Sequence, residues 1–254
     1  MAVPVIGVSL KTYFSHARAR AWFDAVAARV RADEAVAGGA VELFVTPTFL
    51  QIPAAVAAFA GTRVRVGAQD LSADPAGAFT GEIAAAELAE VGAAIAEIGH
   101  AERRRRHGET DAVVAAKARR AREADLTPLL CIGEDRRAAP EAAARIAVDQ
   151  LGAALDDVPA GEVLVAYEPV WAIGAARPAP VEHARAVAGA LRAALRADPA
   201  RSGSRVLYGG AAGPGLLSEL GDAVDGLFLG RFAHDPGALA SVLHEAAALA
   251  AGRP

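Results

Sequence analysis

The chain has one cysteine, Cys131, among 254 residues. A single thiol closes no internal disulfide and builds no thiolate metal cage. Positive charge is not in excess either: 26 Lys and Arg stand against 30 Asp and Glu, a formal charge of −4. A polyanion therefore meets no basic field, and the one dense cationic cluster, Arg103 to Arg106, is too short for a nucleic-acid stripe. The opening MAVPVIGVSL lacks a basic start, an apolar stretch of leader length and a cleavage signature, so a cytoplasmic protein without a membrane partner is expected. No low-complexity linker or compositional shift divides the chain. Residues 1–254 are expected to form one domain.

What the chain does have is apolar mass: 54% of its residues are hydrophobic, enough for one large core. Short runs rich in Val, Ile and Leu recur near 3–9, 41–46, 64–67, 94–98, 128–132, 163–167, 205–209 and 225–229. Between them lie stretches with helical spacing, among them ARARAWFDAVAARVRA, DAVVAAKARRAREA, EAAARIAVDQLGAAL and VEHARAVAGALRAAL. Runs that are apolar on both faces suit strands of a buried parallel sheet, and eight strand–helix units at this length favour an α/β fold closed as a (β/α)8 barrel. An open doubly wound sheet is the alternative.

A barrel gathers its chemistry where strands end and loops begin. The residues at those points are Lys11, Gln69, His100, Glu102, Glu134, Glu168, Gly209, Gly210 and Gly230. A cation, an imidazole, a carboxylate and glycine amides around one mouth suit proton transfer on a small anion. A base then meets a C–H bond beside a carbonyl while an electrophile steadies the developing oxyanion.

Five stretches sharpen this: GAFTGE (77–82), IGHAERR (98–104), CIGE (131–134), AYEPVWAIG (166–174) and YGG (208–210). In their order and spacing they resemble the triosephosphate isomerase family over essentially the whole chain. The resemblance implies an aldose–ketose isomerase interconverting glyceraldehyde 3-phosphate and dihydroxyacetone phosphate through an enediolate, with no cofactor and no metal. It implies that Glu168 is the base and His100 a neutral electrophile, a pairing for which this family is itself the well-known example of environment-tuned acid–base chemistry. Lys11 is implied as the cation beside carbonyl and phosphate; a Schiff-base lysine is disfavoured, because no second cation stands next to it. Glu102 is either a proton carrier near Lys11 or an ion-pair partner of the arginine run. The other five histidines, at 16, 107, 183, 234 and 244, are expected at the surface.

PVWAIGAARPA resembles the family's lid, closing over the site to keep water from the intermediate. Gly174, Gly210 and Gly230 are implied to offer backbone N–H groups to phosphate. The chain also departs from the family. Ser9 replaces an asparagine and Leu10 an aromatic residue, Ala101 and Ala211 replace serines, and the lid tip carries Ala176, Arg177 and Pro178. Arg231 replaces the second glycine of the last phosphate-binding pair, with its guanidinium directed either into the mouth or out to solvent. The proton-transfer residues are thus retained while Ser9, Ala211 and Arg231 of the substrate-binding shell differ. A triose phosphate is the expected substrate and a tetrulose phosphate the alternative, with a non-catalytic sugar-phosphate binder as a lesser one. GAQDLSADPAGAFTGE (67–82) resembles the family's intersubunit loop, which implies a homodimer with Gln69 and Thr80 on that loop and Asp70 as a charge near the interface.

Overall fold

The computed structural model describes residues 3–174 and 178–252. Eight strands, β1 (Val5–Ser9), β2 (Glu42–Thr46), β3 (Arg65–Ala68), β4 (Ile95–Ile98), β5 (Thr127–Ile132), β6 (Leu164–Tyr167), β7 (Arg205–Tyr208) and β8 (Gly226–Leu229), lie parallel in chain order. Strand β8 pairs with β1, which closes the barrel. Every apolar run of the sequence is one of these strands, with small shifts at the ends.

The helices between them are α1 (His16–Ala32), α2 (Glu34–Ala37), α3 (Ile52–Phe59), α4 (Ala85–Glu90), α5 (Ala101–His107), α6 (Asp111–Glu123), α7 (Pro140–Ala154), α8 (Val181–Ala197), α9 (Leu216–Leu220) and α10 (Pro236–Ala251). Their starts follow local chemistry. Ser15 accepts the Arg18 N–H ahead of α1 and Thr110 the Val113 N–H ahead of α6, while α7 and α10 begin on prolines that give up no useful donor. Helix α1 buries Trp22, Phe23, Val26 and Val30 on one face. Among the described residues no helix is long and apolar enough to cross a membrane.

Alternation along each strand splits the core in two. Outward residues such as Ile6, Val8 and Ile98 pack against the helices, and inward ones such as Val5, Phe44, Ile95, Leu129 and Phe228 fill the barrel. Phe44 stacks on Phe228 at 5.8 Å between ring centroids. One inward step further toward the strand ends, the residues turn polar. Ser9 follows Val5 and Gly7, Thr46 follows Phe44, Glu97 follows Ile95, and Cys131 follows Leu129. The barrel thus carries an apolar plug below and a polar floor above, at the end where the strands run out.

Candidate active site

Lys11 leaves β1 with φ of 47°, a left-handed conformation that a lysine adopts only when its surroundings impose it. Gln69 supplies the constraint: its Nε2 donates to the Lys11 carbonyl at 3.0 Å and to the Thr46 carbonyl at 2.9 Å. The Lys11 ammonium then lies 3.0 Å from Glu102 Oε1 and 3.3 Å from His100 Nε2. Burial alone would lower its pKa, but the hydrogen bond to Glu102 and the nearby carboxylates raise it above the ordinary value. Lys11 stays charged.

His100 precedes α5, and its Nδ1 accepts the Glu102 backbone N–H at 3.0 Å. A lone pair at Nδ1 puts the single proton of a neutral ring on Nε2. That nitrogen stands 3.5 Å from Glu168 Oε2. Burial first, and the charge of Lys11 second, bring the imidazole pKa down to about 4. His100 is therefore a neutral donor at neutral pH.

Glu168 directly follows β6 and is buried. Room for it comes from Gly209 after β7: a Cβ there would lie 2.7 Å from Glu168 Cγ and 3.1 Å from its Oε1. Among the described residues Glu168 Oε2 has no hydrogen-bond partner. Burial first, and the charge of Glu97 second, push the carboxyl up to about 8. A basic, unpartnered carboxylate oxygen is suited to taking a proton.

These side chains line one cavity of about 910 Å³ together with Ser9, Gly174, Gly210, Ala211, Gly230 and Arg231. The structure therefore brings together the expected cation, imidazole, base and glycine-rich wall. Gly174 has φ of 72°, which suits a residue without Cβ. Arg231 is exposed at the rim, its guanidinium carbon 6.0 Å from the centroid of the Tyr13 ring. Ala176 and Arg177 of the expected lid tip lie outside the described residues.

The segment after Glu168 is fastened at both ends. Glu134, 1% exposed, accepts hydrogen bonds from the Tyr167 hydroxyl at 3.2 Å and the Trp171 indole at 2.7 Å. It also lies 2.8 Å from His183 Nε2. Beyond the tip, the Ala179 N–H donates to the Tyr208 hydroxyl at 3.1 Å. His183 is thus a buried anchor of this segment, in place of the expected surface histidine; its spacing on α8 turns it inward against Trp171.

Two further expectations change. Gln69 turns inward to hold the Lys11 and Thr46 carbonyls, away from the exposed stretch of its loop. Asp70 is buried and bonded to Lys117 at 2.6 Å and Arg103 at 2.7 Å, because a carboxylate at that depth requires cationic partners. Of the Arg103 to Arg106 cluster, Arg103 is thus paired with Asp70, and Arg104 bonds Asp111 at 2.7 Å. Thr80 lies on the exposed stretch of the loop.

Glu97 is the functional candidate that sequence reasoning missed. It sits inside β4, buried, with its Oε2 accepting from Thr46 Oγ1 at 2.9 Å and Ser9 Oγ at 3.2 Å. Burial dominates its environment and raises its pKa to about 7. The available signal was a single acid at an inward position of an otherwise apolar strand.

The model of the triosephosphate isomerase family matches residues 4–246. The chain belongs to the triosephosphate isomerase family. This makes it an isomerase of that family. Among curated proteins it is 44% identical over 245 residues to an L-erythrulose-1-phosphate isomerase of Pectobacterium atrosepticum, covering 95% of each chain. It is 36% identical over 257 residues to the triosephosphate isomerase of Symbiobacterium thermophilum, covering 97% of this chain and 98% of the other. The crystal structure of triosephosphate isomerase from Bartonella henselae superposes with a TM-score of 0.80 at 26% identity, over 95% of this chain and 98% of that one.

Proposed function

We propose that the chain isomerises a phosphorylated ketose by moving a proton between adjacent carbons, and that its substrate is a tetrulose phosphate of the L-erythrulose 1-phosphate type. The observation that carries the reaction is the facing of Glu168 and neutral His100 across 3.5 Å, with charged Lys11 beside them. Glu168 removes the proton from the carbon next to the carbonyl. The C–H electron pair forms the carbon–carbon double bond of an enediolate, whose oxygens His100 Nε2–H and the Lys11 ammonium stabilise. The neighbouring hydroxyl gives up its proton and becomes the new carbonyl, the former carbonyl oxygen gains one through His100 Nε2, and the carbon-bound proton returns from Glu168 to the former carbonyl carbon. From erythrulose 1-phosphate the product is erythrulose 4-phosphate, with no net oxidation. Gly174, Gly210, Gly230, Ala211 and the rim guanidinium of Arg231 are the proposed phosphate shell, and Glu102 holds Lys11 in place.

Support for the tetrulose comes from the whole-chain similarity to an L-erythrulose-1-phosphate isomerase and from the shortening of asparagine to Ser9 inside the cavity. The tetrulose differs from dihydroxyacetone phosphate by one hydroxymethyl group on the carbon that loses the proton, so a smaller wall residue suits it. A second reading, the triose itself, is favoured by the intact set of Lys11, His100 and Glu168. Steady-state kcat/KM for both substrates separates them: preference for the tetrulose supports the proposal, and fast triose turnover without tetrulose turnover overturns its substrate. We also propose a homodimer formed through the exposed part of the loop after β3, where Phe79 is 41% exposed next to Thr80.

A further inference from the structure

Ser9 on β1 and Glu97 on β4 belong to strands that do not pair; they meet inside the barrel, with Thr46 of β2 between them. Above its folded pKa of about 7 Glu97 is an ionised carboxylate that only accepts, so both hydroxyls donate to it, Ser9 at 3.2 Å and Thr46 at 2.9 Å, and both bonds fall on Oε2. Ser9 also lines the cavity beside Lys11 and Glu168, whereas Glu97 lies beneath the wall. With its only proton directed to Glu97, the Ser9 oxygen presents lone pairs to the cavity. An asparagine amide at this place would bring N–H donors as well. The substitution, together with a buried acid in an otherwise apolar strand, turns this part of the wall into a hydrogen-bond acceptor.

We propose that Ser9 and Glu97 form a specificity-determining pair that accepts a hydrogen bond from a substrate hydroxyl borne on the carbon beyond the two that exchange the proton. This rests on the tetrulose-phosphate reading above. Ser9 makes the contact; Glu97 is a positioning residue that acts by fixing the direction of the Ser9 O–H, and Thr46 fixes Glu97. A triose phosphate has no such carbon and cannot use the pair. A site built around a substrate hydroxyl discriminates strongly against the analogue lacking it, because its own polar group is then left unpaired.

The test is kcat/KM for L-erythrulose 1-phosphate and for dihydroxyacetone phosphate in the wild type, Ser9→Ala, Glu97→Leu, the double variant and Thr46→Val. The expected result is a fall of about 30-fold to 100-fold in the ratio of tetrulose to triose kcat/KM in each of the first two variants, read as a ratio because removing the Glu97 charge also acts on Glu168 for both substrates. Because the residues act as a unit, the double variant falls no further than the worse single one. Thr46→Val, which leaves the cavity wall in place, moves the ratio in the same direction by less. Parallel loss on both substrates, or an unchanged ratio in a wild type that turns over the tetrulose, overturns the pair while leaving the substrate reading standing. A wild type that turns over only the triose removes the substrate reading and the pair with it.

Discussion

His100 Nε2 and Glu168 Oε2 stand 3.5 Å apart, and the same burial drives their pKa values in opposite directions, the imidazole down to about 4 and the carboxyl up to about 8. For His100 the lowered value means a neutral ring that donates from Nε2. For Glu168 the raised value means a stronger base than a solvated carboxylate. One buried environment, with the charges of Lys11 and Glu97 beside it, thus suits His100 as an electrophile and Glu168 as a base in the proposed steps.

The pH profile of kcat/KM follows from Glu168. Its ionised form is the base, so activity rises with pH through the folded value near 8, well above the ordinary 4.5, and then levels off. Below the midpoint the slope is about tenfold per pH unit, the dependence of a single required deprotonation. A pH series in buffers of equal ionic strength gives the midpoint. A limb centred near 4.5 contradicts the proposed environment.

Gly209 makes room for the base. A methyl at this position would approach Glu168 Cγ to 2.7 Å, so Gly209→Ala moves the carboxylate from its place opposite His100. A fall in kcat of about 10²-fold is expected, the size associated with a misplaced reacting group. Thermal unfolding should change little, which distinguishes displacement of the base from collapse of the barrel.

Gln69→Leu leaves the Lys11 and Thr46 carbonyls without their amide partner and releases the left-handed turn at Lys11. Stability should drop by about 1–3 kcal/mol in urea denaturation. KM for the phosphorylated substrate should rise as well, since the ammonium loses its fixed position.

Glu97 predicts a pH-dependent stability of unusual sign. Its pKa rises from 4.5 in the unfolded chain to about 7 in the folded one, so the native state holds the proton more tightly. The stability this contributes is complete below 4.5 and is lost as pH rises through 7. Glu97→Leu has no such proton, and its stability relative to wild type should increase by up to about 3 kcal/mol across that window. A constant difference between the two proteins would show that Glu97 titrates normally.

The proposed dimer depends on the exposed loop. Phe79→Asp should convert a dimer to a monomer in light scattering at micromolar protein, since Phe79 is 41% exposed in the isolated chain and a charge there is costly to bury. A wild type that is already monomeric removes the interface.

Much of this architecture is legible in the chain because strand and barrel signals are local. The apolar runs at 41–46 or 163–167 have no second interpretation once helical stretches alternate with them. Lys11, His100 and Glu168 are legible through their position at strand ends and through motifs of fixed spacing. What stays hidden depends on depth and on distant partners. The burial of Asp70 stays hidden because nothing near it in sequence reveals Lys117 at 2.6 Å. His183 reads as a surface residue on α8 because Glu134, its partner 49 positions earlier, comes from another loop. Glu97 escapes notice because an acid within an apolar run carries no motif; only barrel closure puts it beneath Ser9 and Thr46.

Proton transfer by Glu168 is tested most directly by isomerisation of L-erythrulose 1-phosphate in D₂O, followed by proton NMR of the product formed by wild type and Glu168→Gln. The wild-type product should carry one solvent deuterium on the former carbonyl carbon, to the extent that the proton on Glu168 exchanges with solvent before its return. Turnover by Glu168→Gln should be lower by about 10³-fold. Unchanged turnover by Glu168→Gln, or deuterium on a carbon outside the reacting pair, would contradict proton transfer by this carboxylate.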